Sequence, residues 1–263
     1  MSDAGQWTEF AIRASSTALV VVFVAWIAAR LGPTIGGVVI GLPIVLAPGF
    51  FFMLREHSVE FVVASASGAI HSLAATQIFL GAFVLSSTRL GAFGATACAI
   101  AAWCVLAIPL AFAPHDPLVG TGLFALTTFL ARSIGGRFID PNKPASSSTR
   151  WSLLVLRAVA AGILVGCVTF AATRLGASLA GTLLAFPIGF CVILLSLRLD
   201  HGAAIAGQTA HAGLVGVVSL AGFCLALALA GGVLSPWGAF GAALAASLAI
   251  TIVLMVLAQR RRA

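Results

Sequence analysis

Residues 29–57 read ARLGPTIGGVVIGLPIVLAPGFFFMLREH, and a gapless shift of 144 positions lays Arg174, Leu175, Gly176, Gly181, Pro187, Ile188 and His201 on Arg30, Leu31, Gly32, Gly37, Pro43, Ile44 and His57. Upstream the same register pairs Trp151 with Trp7 and Arg157 with Arg13. Downstream, after a slip of three residues, GAFGA at 238–242 falls on GAFGA at 91–95. Self-similarity at a fixed offset makes the chain two copies of one unit and restricts the fold to architectures with an internal symmetry.

What the unit is made of follows from polarity. Of the 263 residues 61% are hydrophobic and 8% charged, too few charges to coat a soluble globule of this size. With a mean hydropathy of +1.14 the chain reads as an all-α, polytopic membrane helix bundle. Apolar runs predict spans at 7–29, 34–54, 59–85 and 91–112 in the first copy, and at 151–172, 178–197, 203–230 and 236–257 in the second. Thr34 and Ser178 are placed to cap the second span of each copy. The chain therefore divides into a first four-helix repeat (1–116), a connecting part (117–150) and a second four-helix repeat (151–263).

Orientation turns on residues 117–132, an apolar stretch of about 15 residues with no counterpart in the repeat, followed by the only long hydrophilic linker, 132–150. An even-numbered unit fused head to tail gives parallel copies, and one extra crossing between them gives inverted ones. The expected arrangement is 4+1+4, nine spans with inverted repeats; eight spans with parallel repeats is the alternative. In the nine-span case Arg30, Arg89, Arg132, Arg137, Lys143, Arg150, Arg198 and Arg260–Arg262 share one side against Arg55 and Arg174 on the other. The positive-inside rule then puts the C-terminus in the cytoplasm of a bacterial inner membrane, with the acidic start (Asp3, Glu9) outside. The same rule accounts for the net charge of +7 without nucleic acid, since no basic, aromatic-studded face is present to follow phosphates.

Pro43 and Pro187 lie near the middle of matched spans, where each removes a backbone N–H and frees the carbonyl four residues back, at Val39 and Leu183. Such a break is either a packing kink re-satisfied by neighbours or the central site of a transporter, which is commonly built from interrupted helices in two halves. Ser65, Gly68, Ser72 and Thr76 form a small-residue stripe suited to close helix packing. His71, Gln208 and His211 are the polar groups expected deep in the spans; the position matching His211 in the first copy is Ser67. Arg13 and Arg157 follow matched tryptophans by six residues, and read either as snorkelling side chains or as a symmetric pair of contacts for an anionic substrate. All seven carboxylates fall at span ends or in loops, so proton coupling would rest on histidine. The Glu56-His57 and Asp200-His201 pairs read as turn residues. The five cysteines show no CxxC or Cys/His metal spacing and read as small buried hydrophobes.

No HExxH, no carboxylate cluster for a metal-bound diphosphate and no GxSxG is present, and the chain is read as a non-enzyme without cofactor or metal. Haem ligation is disfavoured because His57 falls in a predicted loop.

The segment GGVVIGLPIVLAPGFFFMLREHSVE, with its Gly–Leu–Pro core, aromatic-rich half-helix and acid-bearing exit, resembles the corresponding region of the small four-helix inner-membrane proteins of the GlpM-like type. The likeness covers about 34–60 and, more weakly, 178–200, where the second proline and the terminal Glu are missing. It implies a four-helix unit in a bacterial inner membrane, here in tandem, and implies no substrate.

Two functions fit these features. One is a small secondary transporter, exporter or lipid-carrier flippase with a midplane site between the repeats, acting on an unidentified small-molecule or lipid substrate. The other is a non-transporting scaffold or accessory subunit of an envelope pathway. The lipid bilayer is a partner in both, and a homodimer of the whole chain is compatible with either.

Overall fold

In the computed structural model the described residues are 46–139 and 176–260, together with Thr8, Ala11, Ile12, Ser15, Leu19, Val38, Leu42 and Pro43. Of the described residues 88% are helical. Among the described residues the helices are α1 (Leu46–Glu56), α2 (Val59–Ser87), α3 (Ala92–Ala111), α4 (Pro117–Gly135), α5 (Ala177–Leu184), α6 (Ile188–Ala230) and α7 (Pro236–Arg260), with a short 3₁₀ turn at Gly136–Phe138. No strand occurs among them. Among the described residues five segments, Val59–Ser87, Ala92–Ala111, Pro117–Phe138, Ala177–Ala230 and Pro236–Ala258, are long and apolar enough to cross a membrane. The described part is thus a helical bundle of the multi-pass membrane kind.

Local chemistry fixes the helix ends. Ser58 caps α2, its hydroxyl accepting from the Phe61 N–H, and Glu60 in the first turn complements the helix dipole. Asp116 caps α4: one carboxylate oxygen accepts from the N–H groups of Leu118 (2.8 Å) and Val119 (2.9 Å), and Pro117 supplies a preset first residue. Residues 117–132 are therefore part of a regular helix that runs on past Arg132 to Gly135.

α2 is the hub. From Ser65 to Gly81 every residue except Ile78 is buried, as befits a helix surrounded by others. Around it stand α3, α4, α5 and α6, with α7 against α6. Large apolar side chains on the outer faces of the bundle, including Phe93, Val105 and Ile108 of α3, Leu126 and Phe129 of α4 and Ile252 and Val253 of α7, are exposed, which in water would be costly and in lipid is not.

Contacts at the two ends give each helix a direction. Arg198 of α6 donates through Nη2 to the carbonyls of Ser87 and Leu90 (3.1 Å each), closing the C-terminal end of α2 with a cation. Gly231, just past α6, packs on Val59 and Val63 at the start of α2. Between these points α6 folds back on itself at Gly202, which has φ 85° and ψ −178°. Gly207 lies against Ser87, as Arg198 does, and Gly213 lies against Phe190, so the two limbs of α6 run antiparallel. A helical limb before Gly202 and one after it were expected, with a loop between; a single glycine makes the whole turn.

With the Val59 end of α2 called the Glu60 end and the other the Arg89 end, α4 runs parallel to α2, Gly120 lying against Ile70 and His71 and Gly81 against Ala131. The Glu60 end gathers α1, α6 and α7 through Phe50–Phe223 (5.9 Å between ring centroids), Phe223–Phe240 (5.9 Å) and Phe51–Trp237 (5.3 Å). Arg89, Arg132, Arg137, Arg198 and Arg260 collect at the Arg89 end, whereas Arg55, Glu56, Glu60 and Asp116 lie towards the other.

Several expectations need revision. The span at 178–197 is not one kinked helix: α5 stops at Leu184, Ala185–Pro187 are non-helical, and α6 begins at Ile188. In the first copy, too, Leu42 and Pro43 are bends ahead of α1. Ser178 does not cap α5; Gly176 occupies that position, and the Ser178 hydroxyl points to another helix. Of the cysteines, Cys191 and Cys224 are buried, but Cys98 is exposed on the outer face of α3. Thr34 and Cys167 lie outside the described residues.

Candidate functional site

The break at Ala185–Pro187 sits beside Thr76, well inside α2, and the two helices approach closely because their facing residues are small. A Cβ at Gly181 would collide with the Ser65 carbonyl, and one at Gly68 would come within 3.1 Å of the Ser178 carbonyl. The stripe Ser65, Gly68, Ser72 and Thr76 thus receives α5 along its whole length. The close approach lets hydroxyls of α2 serve the broken backbone: Ser72 Oγ donates to the Thr182 carbonyl (3.1 Å), and Thr76 Oγ1 shares its proton between the Ala185 carbonyl and the Ser72 carbonyl of its own helix (3.3 Å each). In a medium without water such donors replace what the proline removed.

The carbonyl expected to be free, that of Leu183, accepts from the Phe186 N–H at 3.1 Å. The chain tightens into a 3₁₀-like turn before Pro187, so the carbonyls that turn outwards are those of Thr182 and Ala185. Pro187 is buried and provides no side-chain cap for α6. Next to it a Cβ on Gly189, which is partly exposed, would meet open space among the described residues. Trp103 of α3 packs edge-on against Phe186 (4.8 Å), with its buried Nε1 lacking a partner among the described residues. On the opposite side Pro43 is buried, its carbonyl accepting from Ala47 at 2.8 Å, and Gly49 of α1 presses on Leu184 at the end of α5. α1 and the end of α5 therefore touch here; from the contact α1 leads to the Glu60 end, and beyond Pro187 the first limb of α6 leads to the Arg89 end.

The histidines are not brought to this break together. His71 is 3% exposed, with its ring against Gly120 near the start of α4. His211 is half-buried against Gly135 and Gly136 at the other end of α4, with Nε2 3.5 Å from the Arg132 carbonyl. Gly120 and Gly135 are 15 residues apart, about 22 Å along the axis. The two histidines hold opposite ends of α4, and Gln208, half-buried, lies one turn from His211. Val39, Arg13 and Arg157 lie outside the described residues.

Two polar residues escaped the sequence reading. Gln77 is fully buried, its Nε2 donating to the Leu214 carbonyl of α6 (3.1 Å) while Oε1 has no partner among the described residues. His115, read only as part of a turn, stands 5.0 Å from His71 between ring centroids, edge to face (79°). Its Nε2 is 3.3 Å from Ser178 Oγ, and that hydroxyl donates its one proton to the Ala111 carbonyl (2.6 Å). His115 must therefore bring the N–H to Ser178. Burial and, next, the neighbouring His71 hold the His115 imidazole below the usual histidine range, opposed by the Leu110 carbonyl. His71 donates from Nδ1 to the Ser67 carbonyl (3.0 Å).

No group of three or more His, Cys, Asp or Glu able to hold a metal ion occurs among the described residues. Compared with protein-family models, curated proteins and solved structures, the chain matches none of them.

Proposed function

We propose that the chain is a small secondary transporter or exporter, or a lipid-carrier flippase, whose site is the paired proline breaks near the middle of the bundle. The observation that carries this reading is the contact of α1 with the end of α5 at Gly49 and Leu184, from which α1 leads to one end of the bundle and the first limb of α6, beyond Pro187, to the other. Half-helices arranged in this way are the usual frame of a transporter's central site. The open space beside Gly189 among the described residues, at a helix start without a side-chain cap, supports it further.

The same reading takes the repeats as inverted, with α4 as the odd crossing in a nine-span, 4+1+4 arrangement of two GlpM-like four-helix units. α2 and the second limb of α6 run in opposite directions, as do α3 and α7, while α4 has no counterpart. Collection of Arg89, Arg132, Arg137, Arg198 and Arg260 at one end supports a cytoplasmic Arg89 end in a bacterial inner membrane. Reporters fused at Ser2 and at Ala263 should then report opposite faces; the same face for both removes the nine-span arrangement.

A second reading, a non-transporting scaffold or accessory subunit, is favoured by one observation: Ser72 and Thr76 already satisfy the outward carbonyls of the α5–α6 break. One experiment separates the two. In a protein stripped of native cysteines, Gly189→Cys should react with a membrane-impermeant thiol reagent from either face, as alternating access demands. Reaction from one face only, or from neither, favours the scaffold.

A further inference from the structure

The α3–α4 turn carries His115 into contact with the start of α5, and the contact has no use in the midplane reading above. Its surroundings are electrically lopsided. The positive ends of α4 and α5 both point at it, and α3 presents the Leu110 and Ala111 carbonyls from its negative end. The titratable and charged groups facing the pair can be taken element by element. α2 supplies His71 itself, with Glu60 11 residues away, about 16 Å along the helix. The turn supplies Asp116, whose carboxylate is held by the Leu118 and Val119 N–H groups. The first turn of α4 (Pro117–Gly120) and the described residues of α5 contain no ionisable group.

We propose that His71 and His115 form a one-proton site, and that loading this site undocks the α3–α4 turn from the start of α5. Two imidazolium rings 5.0 Å apart repel strongly, so one proton on the pair excludes a second. An added proton is compatible with the acceptors the turn itself owns, the carbonyls of Leu110 and Ala111 and the Asp116 carboxylate. Opposed to it is the positive end of α5, whose partial charge repels the imidazolium although the Nε2–H to Ser178 is retained. The element that gives way is therefore α5, held to the turn at this point by the Ser178 hydroxyl. Since α5 ends in the break at Ala185, the state of the pair reaches the middle of the bundle through eight residues of helix. The inference does not depend on the chain being a transporter.

The test uses the full chain in nanodiscs with labelled histidine, following each ring by NMR while amide exchange is measured at 180–184. One proton should load on the pair, and in His71→Gln the His115 ring should titrate at higher pH, because a repelling neighbour has gone. Exchange at 180–184, corrected for its intrinsic pH dependence, should rise at least tenfold as the pair protonates, and this rise should vanish in His115→Gln. An unmoved His115 titration in His71→Gln overturns the proposal, as does exchange that ignores the titration. Should His71→Gln fail to fold, Ser178→Ala decides: fast exchange at neutral pH with an intact one-proton titration upholds the latch, and parental behaviour overturns it.

Discussion

Gly181 and Gly189 are eight residues apart on either side of one break and are opposite in what they tolerate. A methyl at Gly181 must move the α2 backbone at Ser65, which cannot yield as a side chain tip can. Gly181→Ala should therefore cost about 3 kcal/mol or more, measured by detergent or SDS unfolding, at the upper end of overpacking effects. Gly189→Ala meets open space and should leave stability unchanged or raise it by up to about 1 kcal/mol, because alanine is the better helix former. Thr76→Val keeps the shape but leaves the Ala185 carbonyl without its donor, for an expected loss of about 1 kcal/mol. His115 adds a pH dependence of known sign. Its folded value lies below 6.5, so below that pH the unfolded chain binds more protons and stability falls as pH is lowered to the folded value. In His115→Gln this part of the acid sensitivity should be absent from an unfolding series between pH 7 and pH 5.

Gly202 turns α6 back on itself at a backbone conformation that residues with a Cβ rarely adopt, and nothing crowds its Cα. The cost of Gly202→Ala is therefore backbone strain alone, about 1–3 kcal/mol, readable in the same unfolding assay. The elements themselves were largely legible in the sequence. Ser58, Gly91 and Pro236 mark where apolar runs begin, and α2, α3 and α7 start within a residue of the expected points. The break at Pro187 was legible only in kind. A proline tells that one N–H is missing; it does not tell that hydroxyls 110 positions away, on Ser72, will take the carbonyl at Thr182, nor that Leu183 will be served by a tightened turn. His115 was hidden because Pro114-His115-Asp116-Pro117 reads as punctuation, and its neighbour His71 comes from another helix. Gln77 was hidden by its short amide within an apolar run.

Taken whole, the described part of the bundle has in α4 a helix that touches both halves, α2 of the first and α6 of the second. If it is the crossing that turns the second half over, deletion of Pro117–Phe138 should move a reporter at Ala263 to the opposite face, or leave the second half uninserted. Retention of the parental face by a fully inserted protein would argue against that role. The fold-back at Gly202 bears on how such a molecule could move. The two limbs of α6 meet at a vertex with no slack, so neither can slide in depth past the other. Phe190 lies 12 residues from the vertex on one arm and His211 nine residues from it on the other, about 18 Å and 14 Å respectively. Any tilt that opens the seam at Pro187 is thus handed, as a lever hands it on, to the face that grips the far end of α4.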